Sequence, residues 1–274
     1  MKEISLEEQK IIQLQMLKKV DTFCNRNGIN YSLYWGTLLG AIRHKGYIPW
    51  DDDIDIMMPR PDYMRFVTTF NGIYPELTVY APEIDKNYFE TYANIIDNRT
   101  ILFEEKNNHR GYDIGLKIDL IPFDGVPDDY NDYCAVVKEV KKIGTKLAYK
   151  KWTKQSFKHC FNNSTIKVFL ITVFKCFKLL FVPYSSLQKR LLNFITSIPF
   201  SSANYVDNIA FPIYPNTRMG RSSFNEYVRV PFEDHYFPVI KDYDTLLKLC
   251  YGDYMTLPPE EKRVAHHGFT AYWK

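Results

Sequence analysis

Four aspartates lie within five residues of the chain, starting at residue 51, and isoleucines alternate with the last of them. Side chains alternate along a strand, so Asp51, Asp53 and Asp55 are predicted to share one face while Ile54 and Ile56 point into the core. Asp53 and Asp55 would stand about 6.6 Å apart at the backbone, and two such charges repel by about 3 kcal/mol at an effective dielectric of about 20. A divalent cation is the simplest compensation, because Mg²⁺ takes carboxylate oxygens together with substrate phosphates, and Mn²⁺ takes the same ligands.

The sequence also offers a third carboxylate and a phosphate-binding turn. Asp119 is flanked by Ile118 and Leu120 in an apolar stretch, and it can stand beside the first pair if the two strands are neighbours. Gly36 and Thr37 interrupt another strand pattern and open a short apolar helix, whose free backbone N–H groups can hold a phosphate. This order of elements predicts a nucleotidyltransferase-like fold, in which one or two metal ions clamp the phosphates of a nucleotide donor.

The competing interpretation is that the acidic run is solvated surface, as acidic runs usually are. That interpretation leaves three features unexplained: the isoleucines between the aspartates, the Gly36–Thr37 turn upstream and the later apolar strand that carries Asp119. Taken together, the three features favour a metal-dependent active site over a solvated surface.

Periodicity predicts the elements that must position these residues. Ser5 and Glu8 form a capping-box pattern, apolar residues then recur at helical spacing, and Gly28 is placed to end the helix. Strand and helix patterns mix through the first half of the chain, which predicts an α/β fold with a mixed sheet core flanked by helices. Strand patterns cover residues 31–35, 53–59, 77–82, 92–97, 100–105 and 115–123, helical patterns cover 60–70 and 243–252, and 227–240 has the pattern of a hairpin.

Charge divides the chain unevenly. Residues 133–206 contain thirteen Lys or Arg and one acid, Glu139, so this segment carries a charge of +12 in a chain whose formal net charge is +3. We therefore predict three parts. A nucleotidyltransferase-like catalytic core covers residues 1–130, a basic and mostly helical insertion covers 131–206, and a C-terminal segment over 207–274 completes the active site.

The insertion contains a candidate membrane-surface helix. The apolar run between Lys167 and Lys175 is too short to span a bilayer, which takes about 20 residues. Lys167, Lys175 and Lys178 are spaced to share one helix face, which fits an amphipathic helix on an anionic membrane surface. A core helix or an oligomer contact fits the same pattern, and the sequence leaves the oligomeric state open. No nucleic-acid-binding motif accompanies the basic residues, so nucleic acid is not expected as a partner.

Composition narrows the class of protein further. With 274 residues, 46% of them hydrophobic and 16% aromatic, the chain can bury a core, which excludes a disordered protein. Its five cysteines are odd in number and form no CxxC pair, so neither a disulfide framework nor a zinc site is expected. The N-terminal residues lack an apolar secretory core. We therefore expect a cytoplasmic protein that is peripheral at the inner face of the cell membrane.

Three blocks of the sequence resemble the LicD family of phosphocholine transferases, whose distant relatives include the fukutins. They are YWGTLLGAIRHKGYIPWDDDIDIMMPRPDY (residues 34–63), IDLIPFDGVP (118–127) and YGDYMTLPPEEKRVAHH (251–267). The resemblance implies transfer of phosphocholine from CDP-choline to a hydroxyl of a cell-surface glycan, with CMP as the leaving group. Teichoic acid or a polysaccharide precursor on a lipid carrier would be the acceptor.

The resemblance also implies roles for the acidic residues. Asp53 and Asp55 would bind the metal, and Asp119 would be either a third metal ligand or the base that takes the proton of the acceptor hydroxyl. Asp51 would contact the metal or the acceptor through water. Asp52 is expected to face away from the site, as a charge at the start of the strand.

A second group of residues would bind the donor. Taken alone, Arg43, His44 and Lys45 could equally be the solvated end of the helix near Gly46. The basic residues of the block at 251–267 could equally belong to a solvated C-terminal tail. Asp124 is expected to be a turn residue before Gly125, although a supporting role beside the site is the alternative. Donor binding is expected from Gly36, Thr37, Arg43, His44, Lys45, Lys262, Arg263, His266 and His267.

Two alternatives to phosphocholine transfer stay open at the level of the sequence. The donor could be another CDP-alcohol such as CDP-ribitol, or a nucleoside triphosphate, because the same carboxylates would serve. Release of CMP rather than pyrophosphate separates these donors. The other alternative is a non-catalytic peripheral membrane protein, against which the intact set of Asp53, Asp55 and Asp119 argues.

Overall fold

The computed structural model describes residues 1–86, 88, 90–104, 114–150, 166–179, 181–211, 217–264 and 269–274. It confirms the expected α/β fold with a mixed sheet flanked by helices. The described helices are α1 (Leu6–Asn27), α2 (Trp35–Arg43), α3 (Arg60–Thr69), α4 (Tyr130–Lys150), α5 (Ile166–Leu179), α6 (Tyr184–Ile195) and α7 (Tyr243–Tyr251). The described strands are β1 (Lys2–Ile4), β2 (Ser32–Leu33), β3 (Asp55–Pro59), β4 (Leu77–Tyr80), β5 (Ala93–Asp97), β6 (Thr100–Glu104), β7 (Lys117–Val126), β8 (Tyr205–Asp207), β9 (Met219–Gly220), β10 (Tyr227–Phe232), β11 (His235–Ile240) and β12 (Phe269–Trp273).

The central sheet carries the acidic residues. Its strand order is β2-β3-β7-β5-β4, and β8 and β9 extend it from the far half of β7. β3 and β7 are parallel, whereas the other neighbouring pairs are antiparallel. Both strands are buried along almost their whole length, which their nearly continuous apolar sequence predicts. Side chains from α1, α2 and α3 join theirs in one hydrophobic core.

Helix α1 begins and ends where the sequence predicts. The Ser5 hydroxyl accepts a hydrogen bond from the Glu8 backbone N–H (3.2 Å), and Gly28 ends the helix with a left-handed φ of 58°. The Glu8 carboxylate differs from the capping-box expectation, because it accepts a hydrogen bond from the indole Nε1 of Trp273 (3.0 Å). This contact joins α1 to β12, the middle strand of a second sheet with the order β1-β12-β6.

Some predicted strands are shorter or lie elsewhere. The strand pattern at 31–35 becomes the two-residue β2, because Trp35 already begins α2. The pattern at 53–59 becomes a strand only from Asp55 onwards, so the aspartates before it lie in a loop. The pattern at 100–105 is a strand, but it belongs to the sheet that holds both chain ends. The hairpin at 227–240 is confirmed as β10 and β11.

The middle of the chain forms a second hydrophobic cluster built mainly from α4 and α6. The helical character predicted for the basic segment is therefore confirmed over its described residues, while the proposed domain boundaries stay a prediction. Of the helices in the described ranges, none combines the length and the apolar character that a membrane crossing requires. The shared face predicted for Lys167, Lys175 and Lys178 involves side chains that lie outside the described ones.

Candidate active site

Three polar side chains form a row across the middle of the central sheet. β3 and β7 pair with Asp55 beside Asp119, and β7 and β5 pair with Asp119 beside Asn94. Adjacent strands are about 4.8 Å apart, so paired side chains on one face are close neighbours. Asn94 Nδ2 donates a hydrogen bond to Asp119 Oδ1 (2.5 Å). The structure thus places the Asp119 strand next to the Asp-x-Asp strand, as the sequence predicts.

The other aspartates converge in the loop before β3. One carboxylate oxygen from each of Asp51, Asp52 and Asp53 lies within 4.8 Å of the others. The prediction that Asp52 faces away is therefore wrong, because the alternation of faces that it assumed holds only in a strand. Asp52 is also buried rather than a solvated charge. The predicted strand face is replaced by a compact acidic loop, which we call the Asp51–Asp53 loop.

Helix α1 holds the Asp51–Asp53 loop in place. Gln13 Nε2 donates to the backbone carbonyl oxygens of Asp52 (3.2 Å) and Lys117 (3.3 Å), which ties the loop to the start of β7. Lys10 lies nearby, where burial lowers the pKa of its ammonium and the charges of Asp51 and Asp52 act in the opposite direction. The long N-terminal helix therefore fixes the carboxylates relative to the sheet.

The Gly36–Thr37 pair lies in the first turn of α2, beside the acidic loop. A Cβ atom on Gly36 would stand 2.5 Å from Oδ2 of Asp51, so only glycine allows this approach. The buried Thr37 hydroxyl oxygen accepts a hydrogen bond from the backbone N–H of Asp55 (2.8 Å), which anchors the first residue of β3. First-turn N–H groups have no partner within their helix, so the predicted phosphate contact fits this position and stays a prediction.

Sequence reasoning missed three residues around Asp119. Lys117 lies two residues earlier on the same face of β7, and its Nζ is 2.6 and 2.9 Å from the two carboxylate oxygens of Asp119. The Tyr92 hydroxyl donates to Asp119 Oδ2 (3.4 Å), and Asn94 contacts the same carboxylate. The Lys-x-Asp spacing on a predicted strand was a usable signal for Lys117. Tyr92 and Asn94 become visible only once β5 is paired with β7.

Charge is crowded around Asp55. Burial, followed by the charges of Asp53, Asp119 and Asp51, raises the pKa of Asp55 well above its ordinary range, and Lys117 opposes this shift. Burial lowers the pKa of Lys117, but the charge and hydrogen bond of Asp119 together with the charges of Glu90 and Asp53 outweigh burial, so the pKa is raised overall. The lysine therefore stays protonated and offsets part of the negative charge.

These residues fit a divalent cation. Clustered carboxylates are the hard oxygen ligands that Mg²⁺ and Mn²⁺ prefer, and a bound cation would relieve the crowding that shifts the pKa of Asp55. Of the expected ligands, Asp53 has an oxygen within 4.8 Å of oxygens of Asp51 and Asp52. Asp55 and Asp119 are not part of that group; they lie beside each other on the sheet, and the charges of Asp53 and Asp51 act on Asp55.

The basic residues after α2 have structural contacts. Arg43 Nη1 donates to the carbonyl oxygen of Tyr254 (2.8 Å), and its Nε lies 3.0 Å from His44 Nε2. Burial, then the charge of Arg43, lowers the pKa of His44, so its imidazole is neutral at pH 7. Lys45 is exposed and donates to the carbonyl of Ile42 (3.0 Å). Arg43 thus joins α2 to the C-terminal segment, and phosphate binding by these residues stays a prediction.

The last sequence block reaches the same end of α2. The guanidinium carbon of Arg263 lies 5.9 Å from the ring centroid of Trp50, and His44 meets the same ring edge-on at 6.3 Å. Lys262 is exposed. His266 and His267 lie outside the described residues.

The expectation that Asp124 is a turn residue is wrong. This residue is buried inside β7 rather than in a turn. Both of its oxygens bond to Arg60, at 2.6 Å each, and Arg60 also contacts Glu83 (2.6 Å). Strand β7 runs on through Gly125 because that glycine leaves room for the backbone of Ile198, which a Cβ would approach within 2.6 Å. Asp124 therefore joins the start of α3 to the far half of β7.

Comparisons with known proteins show which family the chain resembles. Residues 28–167 match a family described as LicD/FKTN/FKRP, nucleotidyltransferase domain. The lipopolysaccharide cholinephosphotransferase LicD of Haemophilus influenzae is 32% identical over 278 aligned positions, which cover 99% of each chain. An uncharacterised protein of Rickettsia typhi is 41% identical over 66 residues, covering 24% of this chain and 21% of its own. An uncharacterised protein of Rickettsia prowazekii is 40% identical over 113 residues, covering 35% of this chain and 42% of its own.

Proposed function

Because the chain belongs to the LicD family, we propose that it transfers phosphocholine from CDP-choline to a hydroxyl group of a cell-surface glycan and releases CMP. The Haemophilus relative, similar over its whole length, is named for cholinephosphate transfer to lipopolysaccharide, which supports both the transferred group and the type of acceptor. The observation that carries the proposal is the in-register pairing of Asp55 and Asp119 beside the Asp51–Asp53 loop.

The carboxylates would hold Mg²⁺ or Mn²⁺. When bound, such an ion neutralises phosphate charge and stabilises the leaving phosphate of CMP. We assign Asp53, Asp55 and Asp119 as its ligands. For Asp119 we favour the ligand role over that of base, because ligand carboxylates are usually oriented by hydrogen bonds, here from Lys117 and Asn94.

The chemistry would be an in-line displacement at phosphorus. The acceptor hydroxyl oxygen forms the new bond to the phosphorus of the choline phosphate group, the bond from that phosphorus to the CMP oxygen breaks, and the hydroxyl proton leaves to a base or to solvent. Such reactions depend mainly on positioning and charge neutralisation. First-turn N–H groups of α2 at Gly36 and Thr37 would orient a donor phosphate.

We also propose that the reaction takes place at the inner face of the cell membrane, where a lipid-linked acceptor would be presented. Helix α5 supports this location. Its residues Leu170, Phe174 and Phe177 are 59%, 58% and 62% exposed, and together with Ile166 and Val173 they recur at helical spacing as one exposed apolar stripe. The surrounding basic segment supplies charge complementary to anionic lipids, worth about 1 kcal/mol per residue near the surface.

A panel of donors tests the proposed reaction. The protein is incubated with Mg²⁺ and CDP-choline, CDP-ethanolamine, CDP-ribitol or CTP, with and without lipopolysaccharide or a teichoic acid precursor. We expect CMP release from CDP-choline, increased by an acceptor that gains one phosphocholine in its mass spectrum. Pyrophosphate release from CTP with nucleotide on the acceptor would replace the proposal with nucleotidyl transfer. CMP release from CDP-ribitol alone would change the donor, and no turnover of any donor would contradict the enzyme.

A further inference from the structure

Three aromatic rings from separate parts of the chain meet beside the carboxylates. Trp35 begins α2, Tyr92 precedes β5, and Phe211 follows β8. The ring centroids of Trp35 and Phe211 are 6.2 Å apart at an interplanar angle of 60°, and those of Tyr92 and Phe211 are 5.3 Å apart at 55°. Phe211 therefore lies between the other two, with its ring inclined to both, and we call the three residues the aromatic cluster.

The aromatic cluster is attached to both sides of the acidic site. On one side the Tyr92 hydroxyl contacts Asp119 Oδ2 (3.4 Å). On the other side Trp35 directly precedes Gly36, whose Cα stands against the Asp51 carboxylate. A group linked to a phosphate at the carboxylates by a chain of two carbons would therefore be within reach of these rings.

Trp35 adopts a strained backbone conformation. Its φ is +38°, in the left-handed region that bulky residues avoid. The neighbouring Tyr34 ring stacks on the Trp35 ring, with centroids 4.5 Å apart and planes at 24°, which holds the indole in this position. Strained residues of this kind concentrate at ligand sites. Trp35 and Tyr92 are buried, whereas Phe211 is 38% exposed, so Phe211 is the ring of the cluster that a ligand can reach.

The charges around the aromatic cluster favour a cation. The Tyr92 hydroxyl contacts Asp119 Oδ2 (3.4 Å), so a carboxylate lies at this ring. A quaternary ammonium group has no N–H to donate, so proteins recognise it with aromatic faces within about 6 Å, at a gain of about 0.5–2 kcal/mol. A primary ammonium prefers hydrogen-bond acceptors instead.

We propose that the exposed Phe211 ring, held in place by Trp35 and Tyr92, binds the trimethylammonium group of the donor and selects choline over smaller alcohols. This proposal rests on the proposed function, because it assigns the part of the same site that recognises choline. It makes Phe211 a determinant of specificity rather than of catalysis, since the trimethylammonium end of the donor does not react.

Phe211 is the ring to change, because it is partly exposed and its replacement disturbs the core less than that of the buried Trp35 or Tyr92. Isothermal titration compares CDP-choline and CDP-ethanolamine binding to the native protein, to Phe211→Leu and to Phe211→Tyr. A matched control is Phe177→Leu, which makes the same substitution on the exposed face of α5. We expect Phe211→Leu to weaken CDP-choline binding about 3- to 30-fold and to leave CDP-ethanolamine binding nearly unchanged. Phe211→Tyr and Phe177→Leu should keep the native preference.

The outcomes separate this proposal from the proposed function. Equal affinity of the native protein for the two donors, an unchanged preference in Phe211→Leu, or an equal loss for both donors would overturn the aromatic site. CMP release, measured on the same samples, reports on the proposed function alone. A native protein that turns over CDP-choline but shows no choline preference would retain the reaction and reject the aromatic site.

Discussion

Sheet pairing brings Asp55 and Asp119 together, and that closeness has a cost in folding free energy. Neighbouring strands are about 4.8 Å apart, so Asp55 and Asp119 are close neighbours, and the Asp51–Asp53 loop adds further negative charge. Burial and these charges raise the pKa of Asp55. The proposed ion would relieve this repulsion.

Replacing Asp55 with asparagine distinguishes the effect of this carboxylate on metal binding from its effect on the stability of the fold. Asp55→Asn keeps the shape and removes one crowded charge, so the protein in EDTA should melt at the native temperature or above it. Saturating Mg²⁺, at about 100 times its dissociation constant, should stabilise the native protein by about 2.7 kcal/mol and the variant much less. Differential scanning calorimetry measures both. Asp253→Asn, at an exposed acid, is the control. An equal Mg²⁺ shift in Asp55→Asn would contradict the ligand assignment.

Lys117 offsets part of the same charge, so its loss should act mainly on the protein without metal. Lys117→Gln removes the ion pair with Asp119 and should lower the free energy of unfolding by about 2 kcal/mol, less than for a fully buried pair because the lysine is partly exposed. Urea denaturation with and without Mg²⁺ measures this loss. Mg²⁺ should reduce the difference in free energy of unfolding between the native protein and the variant. A difference of the same size with and without Mg²⁺ would show that Lys117 does not compensate the charge of the proposed metal-binding carboxylates.

Among the elements, α5 differs from the other described helices by its exposed apolar stripe of Ile166, Leu170, Val173, Phe174 and Phe177. Water-facing apolar side chains at helical spacing are the arrangement of helices that lie in a membrane interface. A core helix would bury this stripe, so its exposure argues against a core helix. The +12 charge of residues 133–206 adds attraction to an anionic membrane surface.

Vesicle binding tests the role of α5. The native protein should sediment with phosphatidylglycerol vesicles, bind phosphatidylcholine vesicles far less, and lose binding as salt is raised. Leu170→Glu and Phe174→Glu should each weaken binding at least about tenfold, since each puts a charge into the apolar layer. Ile73→Glu, at an exposed isoleucine outside α5, should bind like the native protein. If the two α5 variants instead convert a native dimer to a monomer without changing vesicle binding, the stripe is an oligomer contact.

The contact between α3 and β7 depends on a buried ion pair. Arg60 binds both oxygens of Asp124 and also Glu83, and all three side chains are at most 10% exposed. Arg60→Met would leave buried carboxylates without their partner and should cost about 3–5 kcal/mol. The exposed pair Lys241–Glu226 provides the control, and Lys241→Met should leave stability nearly unchanged. Chemical denaturation of both variants checks the contrast; similar losses would show that burial does not set the cost.

At the scale of the whole molecule, the candidate active site is assembled from distant parts of the chain. Gln13 on α1 ties the Asp51–Asp53 loop to β7, and the carbonyl of Tyr254 accepts a hydrogen bond from Arg43 at the end of α2. The second sheet pairs the N-terminal strand, the C-terminal strand and β6. Contacts between distant segments therefore hold the candidate site together.

Local sequence signals predicted the parts of this arrangement that local physics determines. The cap of α1, the strand that carries Asp119, the hairpin at 227–240 and the helix α7 all follow from capping, alternation and turn residues. The mixed sheet followed from the order of these patterns.

Contacts between distant segments decided what the sequence did not predict. The Asp51–Asp53 loop is not a strand: Gln13 binds the backbone carbonyl of Asp52, Gly36 leaves room for the Asp51 carboxylate, and Asp52 is buried. Asn94 and Tyr92 join the site only through the pairing of β5 with β7. The sequence predicts that Asp124 is a turn residue before a glycine. Its ion-pair partner Arg60 lies 64 residues earlier in the sequence, so no local pattern indicates the contact. None of these contacts leaves a periodic pattern.

The most direct measurement of the central claim is the rate of CMP release from CDP-choline by native protein and Asp119→Asn. Both are assayed with Mg²⁺ and an acceptor glycan, with Asp253→Asn as the control and circular dichroism to show that each is folded. We predict a loss of about 100- to 1000-fold for Asp119→Asn, with the control at the native rate. CMP release at the native rate by folded Asp119→Asn would contradict the assignment of this carboxylate cluster as the active site.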